Sequence, residues 1–389
     1  MKMAYFPGCS LEASAVEYGL STRRTAEIMG VELVEIEDWN CCGATSGHST
    51  NKLLSLALPA RNLAIAEKSG LDILAPCAAC YNRLSTTEHT VRNNDQMRQK
   101  IEKVIEMECQ GKTQIFSVLN LLTDQVGIGD IGKKVKSPLK GMKAACYYGC
   151  LLVRPQEHTG FDDTEDPKTM DQIVQALGAK TVEWAFKTEC CGASLATSRP
   201  EIGAKITYEI IRNARESGAE CLVTACPLCM MNLDMRQGTV KQRYKLDYDM
   251  PIYYVTELIA IACGDKPEDV GVHRHFVDAV GYLHSLAAKA EEEVPVKQVT
   301  SKGEPEADND AEGKQKKIDA MIKVLQKNPD KPLGKLIEDQ EQVKILVQLI
   351  NEDEKKLARL AEAMVSDRDK AVKVANAYIT GELKKRGKQ

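Results

Sequence analysis

The chain has 389 residues, 43% of them hydrophobic and 28% charged, with a formal net charge of −4, which is ordinary for a soluble protein with core enough for two or three domains. So balanced a charge gives no basis for nucleic acid or an anionic membrane surface as partner, and no apolar run approaches the roughly 18 residues that span a bilayer. The first six residues lack the basic and apolar stretches of a signal peptide. The expected location is therefore cytoplasmic, where thiols stay reduced and clustered cysteines point to metal or redox work before disulfides.

In chain order, residues 3–6 form a short apolar run ending in Pro7-Gly8-Cys9, read as a strand that delivers a cysteine. Residues 12–29 carry helical spacing and stop at Gly30. Residues 31–36 are a strand followed by Cys41-Cys42-Gly43, and 51–68 are a helix stopped at Ser69-Gly70. Residues 71–75 are a third strand, running into Cys77 and Cys80. Residues 81–125 read as a charged helical connector and 126–141 as a loop. The order then restarts: strand 143–148 into Gly149-Cys150, helix 168–177, strand 181–185 into Cys190-Cys191-Gly192, helix 202–216, strand 221–224 into Cys226 and Cys229. Twice β-α-β-α-β predicts an α/β chain of two pseudo-twofold-related, Rossmann-like repeats with parallel sheets. Every cysteine of the pattern falls past the carboxyl end of a strand, the edge where open α/β sheets bind ligands. Both cysteine-bearing edges are expected to face a shared cleft.

Residues 258–288 read as helical with a glycine-rich interruption. Residues 291–313, rich in Glu, Lys, Pro and Asp, read as a solvated linker. Residues 314–327, 333–350 and 353–379 read as helices of an all-α extension, with Leu346, Leu349, Ile350, Leu357, Leu360 and Met364 on its apolar face. The expected domains are 1–142 (first repeat with its connector), 143–290 (second repeat), the linker 291–313 and the extension 314–389.

All 14 cysteines lie at or before Cys263. Ten form C-x31-CC-x34-C-x2-C and C-x39-CC-x34-C-x2-C, and the steps 41 to 190, 77 to 226 and 80 to 229 are each 149 residues. A tetrahedral zinc site wants four ligands in two close pairs, and vicinal cysteines make a poor second pair with a fifth cysteine left over. An iron–sulfur group has several irons and accepts a wider spread of thiolates. The spacing favours iron–sulfur and leaves zinc and buried free thiols as alternatives. Cys109, Cys221 and Cys263 have no partner at useful spacing and read as small buried hydrophobes.

These motifs resemble the cysteine-rich CCG domain, present twice over residues 1–286. The phrases Cys146-Tyr147-Tyr148-Gly149-Cys150-Leu151-Leu152-Val153-Arg154-Pro155 and Cys226-Pro227-Leu228-Cys229-Met230-Met231-Asn232-Leu233-Asp234 resemble the B subunit of heterodisulfide reductase. The resemblance implies two non-cubane [4Fe-4S] clusters, one on Cys9, Cys41, Cys42, Cys77 and Cys80, the other on Cys150, Cys190, Cys191, Cys226 and Cys229. Cys146 competes with Cys150, but aligning Gly8-Cys9 with Gly149-Cys150 puts Cys146 opposite Tyr5, inside a strand. The implied activity is reduction of a disulfide, the heterodisulfide of coenzymes M and B or a related small one. Electrons would come from ferredoxin-like [4Fe-4S] and flavin-containing subunits of a heterodisulfide reductase-like complex. The rival readings are an electron-relay or scaffold member of a quinone-linked complex, and a member of an organic-acid-oxidising complex.

Four residues beyond the cysteines are candidates. His48 can donate a proton or sit satisfied at the surface. Arg154 can hold an anionic substrate tail or make a salt bridge. Asn82 and Asn232, after the two C-x2-C pairs, can hydrogen-bond cluster sulfur. Gly127-Ile128-Gly129-Asp130-Ile131-Gly132 spells G-x-G-x-x-G, but it follows a helical segment, and Pro138 and Gly141 disrupt a following helix, so it is not read as dinucleotide-binding. His273-Arg274-His275, with His284 the nearest third ligand, reads as incidental.

Overall fold

A computed structural model describes residues 1–44, 46–292 and 339–366, together with individual positions between 321 and 379. The chain divides into two compact units, Met1–Val296 and Lys297–Gln389.

The first unit contains two four-stranded parallel sheets. Strands β1 (Lys2–Tyr5), β2 (Glu32–Glu35), β3 (Ile73–Leu74) and β4 (Ile115–Phe116) lie in the order β2-β1-β3-β4. Strands β5 (Lys143–Tyr147), β6 (Lys180–Thr181), β7 (Cys221–Thr224) and β8 (Ile252–Tyr254) repeat it as β6-β5-β7-β8. All pairings are parallel, with Tyr5 opposite Glu35 and Leu74, and Tyr147 opposite Thr224. The inner strands are apolar on both faces, as a parallel sheet covered by helices demands. β7 is buried at every residue, and Ile73, Leu74, Ile252, Tyr253 and Tyr254 are fully buried.

In each sheet the chain leaves an inner strand for one edge and returns on the other side, so the crossovers diverge between β1 and β3 and between β5 and β7. That divergence opens a crevice at the strands' carboxyl ends. The loops after β1 and β3 carry Cys9, Cys77 and Cys80. Those after β5 and β7 carry Cys150, Cys226 and Cys229.

Flanking helices begin and end where local chemistry dictates. Asn51 caps Lys52–Ser69 through its side chain, accepting from the backbone N–H of Leu53 and Leu54, and Gly70 ends it in the left-handed conformation. Pro200 opens Pro200–Glu216 at its first turn.

Several elements differ from expectation. The fourth strand of each sheet is two or three residues long, too short for a period to show. Residues 126–141 hold a helix, Ile128–Lys134, reached through a π-helical turn, Leu121–Val126. Gly129 and Gly132 sit inside that helix, so the glycine run does not prevent one. What precedes it is still a helical turn and not the strand that a phosphate-binding loop needs. The expected strand 181–185 shrinks to Lys180–Thr181, and Trp184 turns inward to donate its Nε1–H to the Cys146 carbonyl at 3.0 Å.

In the second unit, helices Gln340–Glu352 and Glu354–Ser366 share a core of its own around Leu325, Leu333, Leu346, Ile350, Leu357 and Leu360. The expected linker from residue 293 onward, and the start of the helix expected at 314–327, lie outside the described residues.

Candidate redox site

The two cysteine sets occupy equivalent backbone. Gly8 and Gly149 lie just before Cys9 and Cys150 with φ of 67° and 68°, and the glycines of the CCG triplets, Gly43 and Gly192, have φ of 71° and 78°. A Cβ on Gly8 would stand 2.9 Å from Cys80 Sγ, and one on Gly149 3.1 Å from Cys229 Sγ. Glycine is therefore required twice over, by the left-handed backbone and by the sulfur beside it. The loop before Cys150 is fixed further by the Lys187 carbonyl, which accepts from the N–H of Tyr148 at 2.8 Å and of Gly149 at 3.1 Å.

Within each set, one vicinal cysteine is buried and its neighbour exposed. Cys42 and Cys191 face inward, whereas Cys41 and Cys190 reach solvent. Adjacent side chains diverge, so the pair spans the boundary between core and crevice. Cys42 Sγ lies 3.2 Å from Cys80 Sγ. The thiols of each set act on one another electrostatically, and Cys77 and Cys226 do so from one repeat to the other. Cys42 is pulled down to about 4, first by Cys41 and then by Cys80 beside it, and Cys190 to about 6 by Cys150.

Tyr18 sits where the repeats meet. Its ring stacks on Tyr254, centroids 4.1 Å apart, and its hydroxyl lies 3.1 Å from the carbonyl oxygens of both Pro76 and Ala225, the residues before Cys77 and Cys226.

Above the thiols lies a cavity of about 630 Å³, within the range of small-molecule sites. Its wall holds Cys150, Cys190, Cys191, Cys226 and Cys229 from the second repeat, and Ala44, His48, Ala78 and Ala79 from the first.

His48 thus lines the cavity. Arg83 Nη1 donates to its Nδ1 at 2.9 Å; since a guanidinium can only donate, His48 carries its hydrogen on Nε2. Arg154 does not line the cavity. It bonds the Thr164 carbonyl, Glu165 and Thr188 Oγ1 at 2.9–3.0 Å, which is the salt-bridge role and not the anion-holding one. Asn82 donates to the carbonyls of Leu151 and Arg154, clamping the Cys150 loop of the opposite repeat. Asn232 donates to the Cys191 carbonyl and to Thr207 Oγ1. Neither asparagine amide bonds a cysteine sulfur. Cys146 lies within β5, fully buried, and Cys109, Cys221 and Cys263 are buried as well. His275 pairs with the buried Glu257 at 2.9 Å, and both are almost wholly enclosed. Arg83 was the residue the sequence hid: a cation three positions past Cys80 is unremarkable until the fold sets it beside His48.

Among the described residues, no group of three or more His, Cys, Asp or Glu side chains is arranged to hold a metal ion.

A model of the CCG cysteine-rich domain matches residues 3–85 and 144–234, one match on each repeat. The chain is also 34% identical, over 72% of its length and 98% of the relative's, to the 8-methylmenaquinol:fumarate reductase membrane anchor subunit of Wolinella succinogenes. The chain belongs to the CCG cysteine-rich domain family. Within that family it is 27% identical to the B subunit of the ferredoxin/F420H2-dependent CoB-CoM heterodisulfide reductase of Methanosarcina acetivorans, over 73% of this chain and 97% of that one. The crystal structure of a hypothetical protein from Helicobacter pylori shares the fold, with a TM-score of 0.56 and 15% identity over 71% of this chain and 51% of that one. Among the described residues, no helix is long and apolar enough to cross a membrane.

Proposed function

We propose that this CCG protein is the iron–sulfur subunit of a multisubunit reductase and that it reduces a small-molecule disulfide, RSSR′ + 2 e⁻ + 2 H⁺ → RSH + R′SH, with electrons from partner subunits. The observation that carries this reading is the cavity whose wall contains all five cysteines of the second set together with Ala44, Ala78, Ala79 and His48 of the first repeat. The iron–sulfur group on those five thiols would take part of the 630 Å³, and the apolar wall beyond them would take a small substrate beside it. The residues fit the implied groups: two five-thiol sets, each with a glycine whose Cβ would crowd a cysteine sulfur. Cys9, Cys41, Cys42, Cys77 and Cys80 would hold one [4Fe-4S] group of non-cubane type and Cys150, Cys190, Cys191, Cys226 and Cys229 the other, together supplying two electrons.

The chain's own side chains do the rest. Leu151, Leu228 and Met231 line the cavity beside the alanines, taking up the apolar body of a substrate and excluding water. The Nε2–H of His48, fixed by Arg83, offers a hydrogen bond to a thiolate sulfur as it forms. In this reading residues 1–142 and 143–290 are halves of one redox unit and 314–389 is an appended module. The partners are ferredoxin-like and flavin-containing subunits, and the location is cytoplasmic. The relative named as the B subunit of a heterodisulfide reductase supports the coenzyme M–coenzyme B heterodisulfide as the first disulfide to try.

A second reading rests on the higher identity to the protein named for 8-methylmenaquinol:fumarate reductase: electron transfer with a quinone-linked partner and no disulfide chemistry. One experiment separates them. The chain, reconstituted anaerobically with iron and sulfide, reduced and freed of reductant, is mixed with the heterodisulfide or with a water-soluble menaquinone analogue. Two thiols released per disulfide consumed support the first reading. Reoxidation by the quinone with the disulfide left intact replaces it with the second. Cys42→Ala and Cys191→Ala should each abolish thiol release.

A further inference from the structure

The internal duplication allows each position near one cysteine set to be compared with its counterpart near the other. The 149-residue step that maps Cys42 onto Cys191 and Cys80 onto Cys229 maps Arg83 onto Asn232. Both follow the last cysteine of C-x2-C by three positions, in helices Ala78–Asn93 and Pro227–Met235, so each shares a helix face with that cysteine.

Their chemistry differs by one full charge. Asn232 is buried, and its amide donates to the Cys191 carbonyl and Thr207 Oγ1. Arg83 is half-buried, and its guanidinium donates to His48 Nδ1 at 2.9 Å and to Asn82 Oδ1 at 3.1 Å. Both partners are neutral acceptors, and Arg83 makes no salt bridge with a carboxylate among the described residues. In the second repeat Lys187 meets Asp166, Asp171 and Glu183, and Arg154, four residues past Cys150, meets Glu165. The first set therefore lies beside a partly desolvated positive charge with no counter-charge. The second lies beside a neutral amide, with Glu189 next to Cys190.

Resting on the iron–sulfur reading above, we infer that the two sites differ in electron affinity. The first (Cys9, Cys41, Cys42, Cys77, Cys80) is the more readily reduced, and Arg83 is the positioning residue that makes it so. Positive charge in a partly desolvated place stabilises whichever state carries more electrons. The first site thus holds the first electron. The second, whose cysteines line the cavity, is the stronger reductant once both are filled.

The test is a potentiometric titration of the reconstituted full chain followed by paramagnetic resonance, with iron and sulfide counted in each sample. Wild type should show two separated midpoints, and Cys42→Ala should remove the higher one. Arg83→Gln should lower the higher midpoint and leave the lower one in place, whereas Arg83→Lys should keep both. Loss of the lower midpoint in Cys42→Ala, or unchanged midpoints in a fully loaded Arg83→Gln variant, overturns the inference. If Arg83→Gln does not load its first site, the Cys42→Ala assignment decides alone. A wild-type chain that takes up no iron–sulfur overturns the function proposed above instead.

Discussion

In the first repeat, strand order β2-β1-β3-β4 brings Cys9, Cys77 and Cys80 to one crevice. In the second, the same order brings Cys150, Cys226 and Cys229 to the other. The backbones agree to within a few degrees at the glycines before the first cysteines, yet the repeats place charge at opposite ends of their frames. The first sets an uncompensated Arg83 near its thiols and closes its fourth strand with a neutral pair: Ser117 N–H donates to Asn120 Oδ1, and Asn120 N–H donates to Ser117 Oγ. The second has neutral Asn232 near its thiols and closes β8 with Glu257, which accepts from Tyr254 N–H and pairs with His275, wholly buried. A duplicated scaffold keeps what ligand geometry requires, and it diverges in what sets the field around each site.

The largest effect is expected at the buried charge of the second repeat. Glu257→Gln leaves His275 facing a neutral amide and should cost about 3 kcal/mol in denaturant unfolding. Asn120→Ala, at the matching place in the first repeat, should cost about 1 kcal/mol. Burial raises Glu17, Asp234 and Glu257, and the Glu257 carboxylate raises His275 against the effect of burial. Arg274 is a further charge facing this cluster. A raised folded-state value means that the native state binds more protons than the unfolded chain. This cluster's contribution is therefore full below the ordinary carboxylate values and is lost as pH rises through the folded values, past the ordinary histidine value of 6.5. Glu257→Gln should flatten that decline; an unchanged slope would place the pH dependence elsewhere.

The next effect should appear in both repeats unequally. Gly8→Ala and Gly149→Ala each force a left-handed alanine, costing about 1–2 kcal/mol, and each crowds a cysteine sulfur. Gly8→Ala has the tighter clearance, 2.9 Å against 3.1 Å, and should lose more iron on reconstitution. Equal losses would say that backbone strain alone decides. The smallest effect belongs to the axis: Tyr18→Phe should cost about 1 kcal/mol and disturb both sites alike, since its hydroxyl reaches carbonyls of both repeats. A change confined to one site would show that only one of those bonds matters.

Much of this architecture was legible because duplication writes itself as a constant step. The 149-residue offset and the strand before each cysteine led to two parallel sheets with their cysteines at one edge. What stayed hidden depends on contacts between distant segments. β4 and β8 are too short to carry a pattern, and their strand character comes from pairing with β3 and β7. Arg154 looked better placed than Arg83 because it stands four residues past a cysteine, but folding turns it onto Glu165. Lys187 gives no sign in sequence of being 2% exposed, since three carboxylates reach it only after the chain has folded.

The most direct test of the central claim is a count of iron and acid-labile sulfide per chain after anaerobic reconstitution. Two independent five-thiolate sites predict about eight of each in wild type and about four in Cys42→Ala and in Cys191→Ala. A wild-type chain that binds one or two zinc ions and no sulfide, or a single variant that loses all its iron or none, would contradict the account.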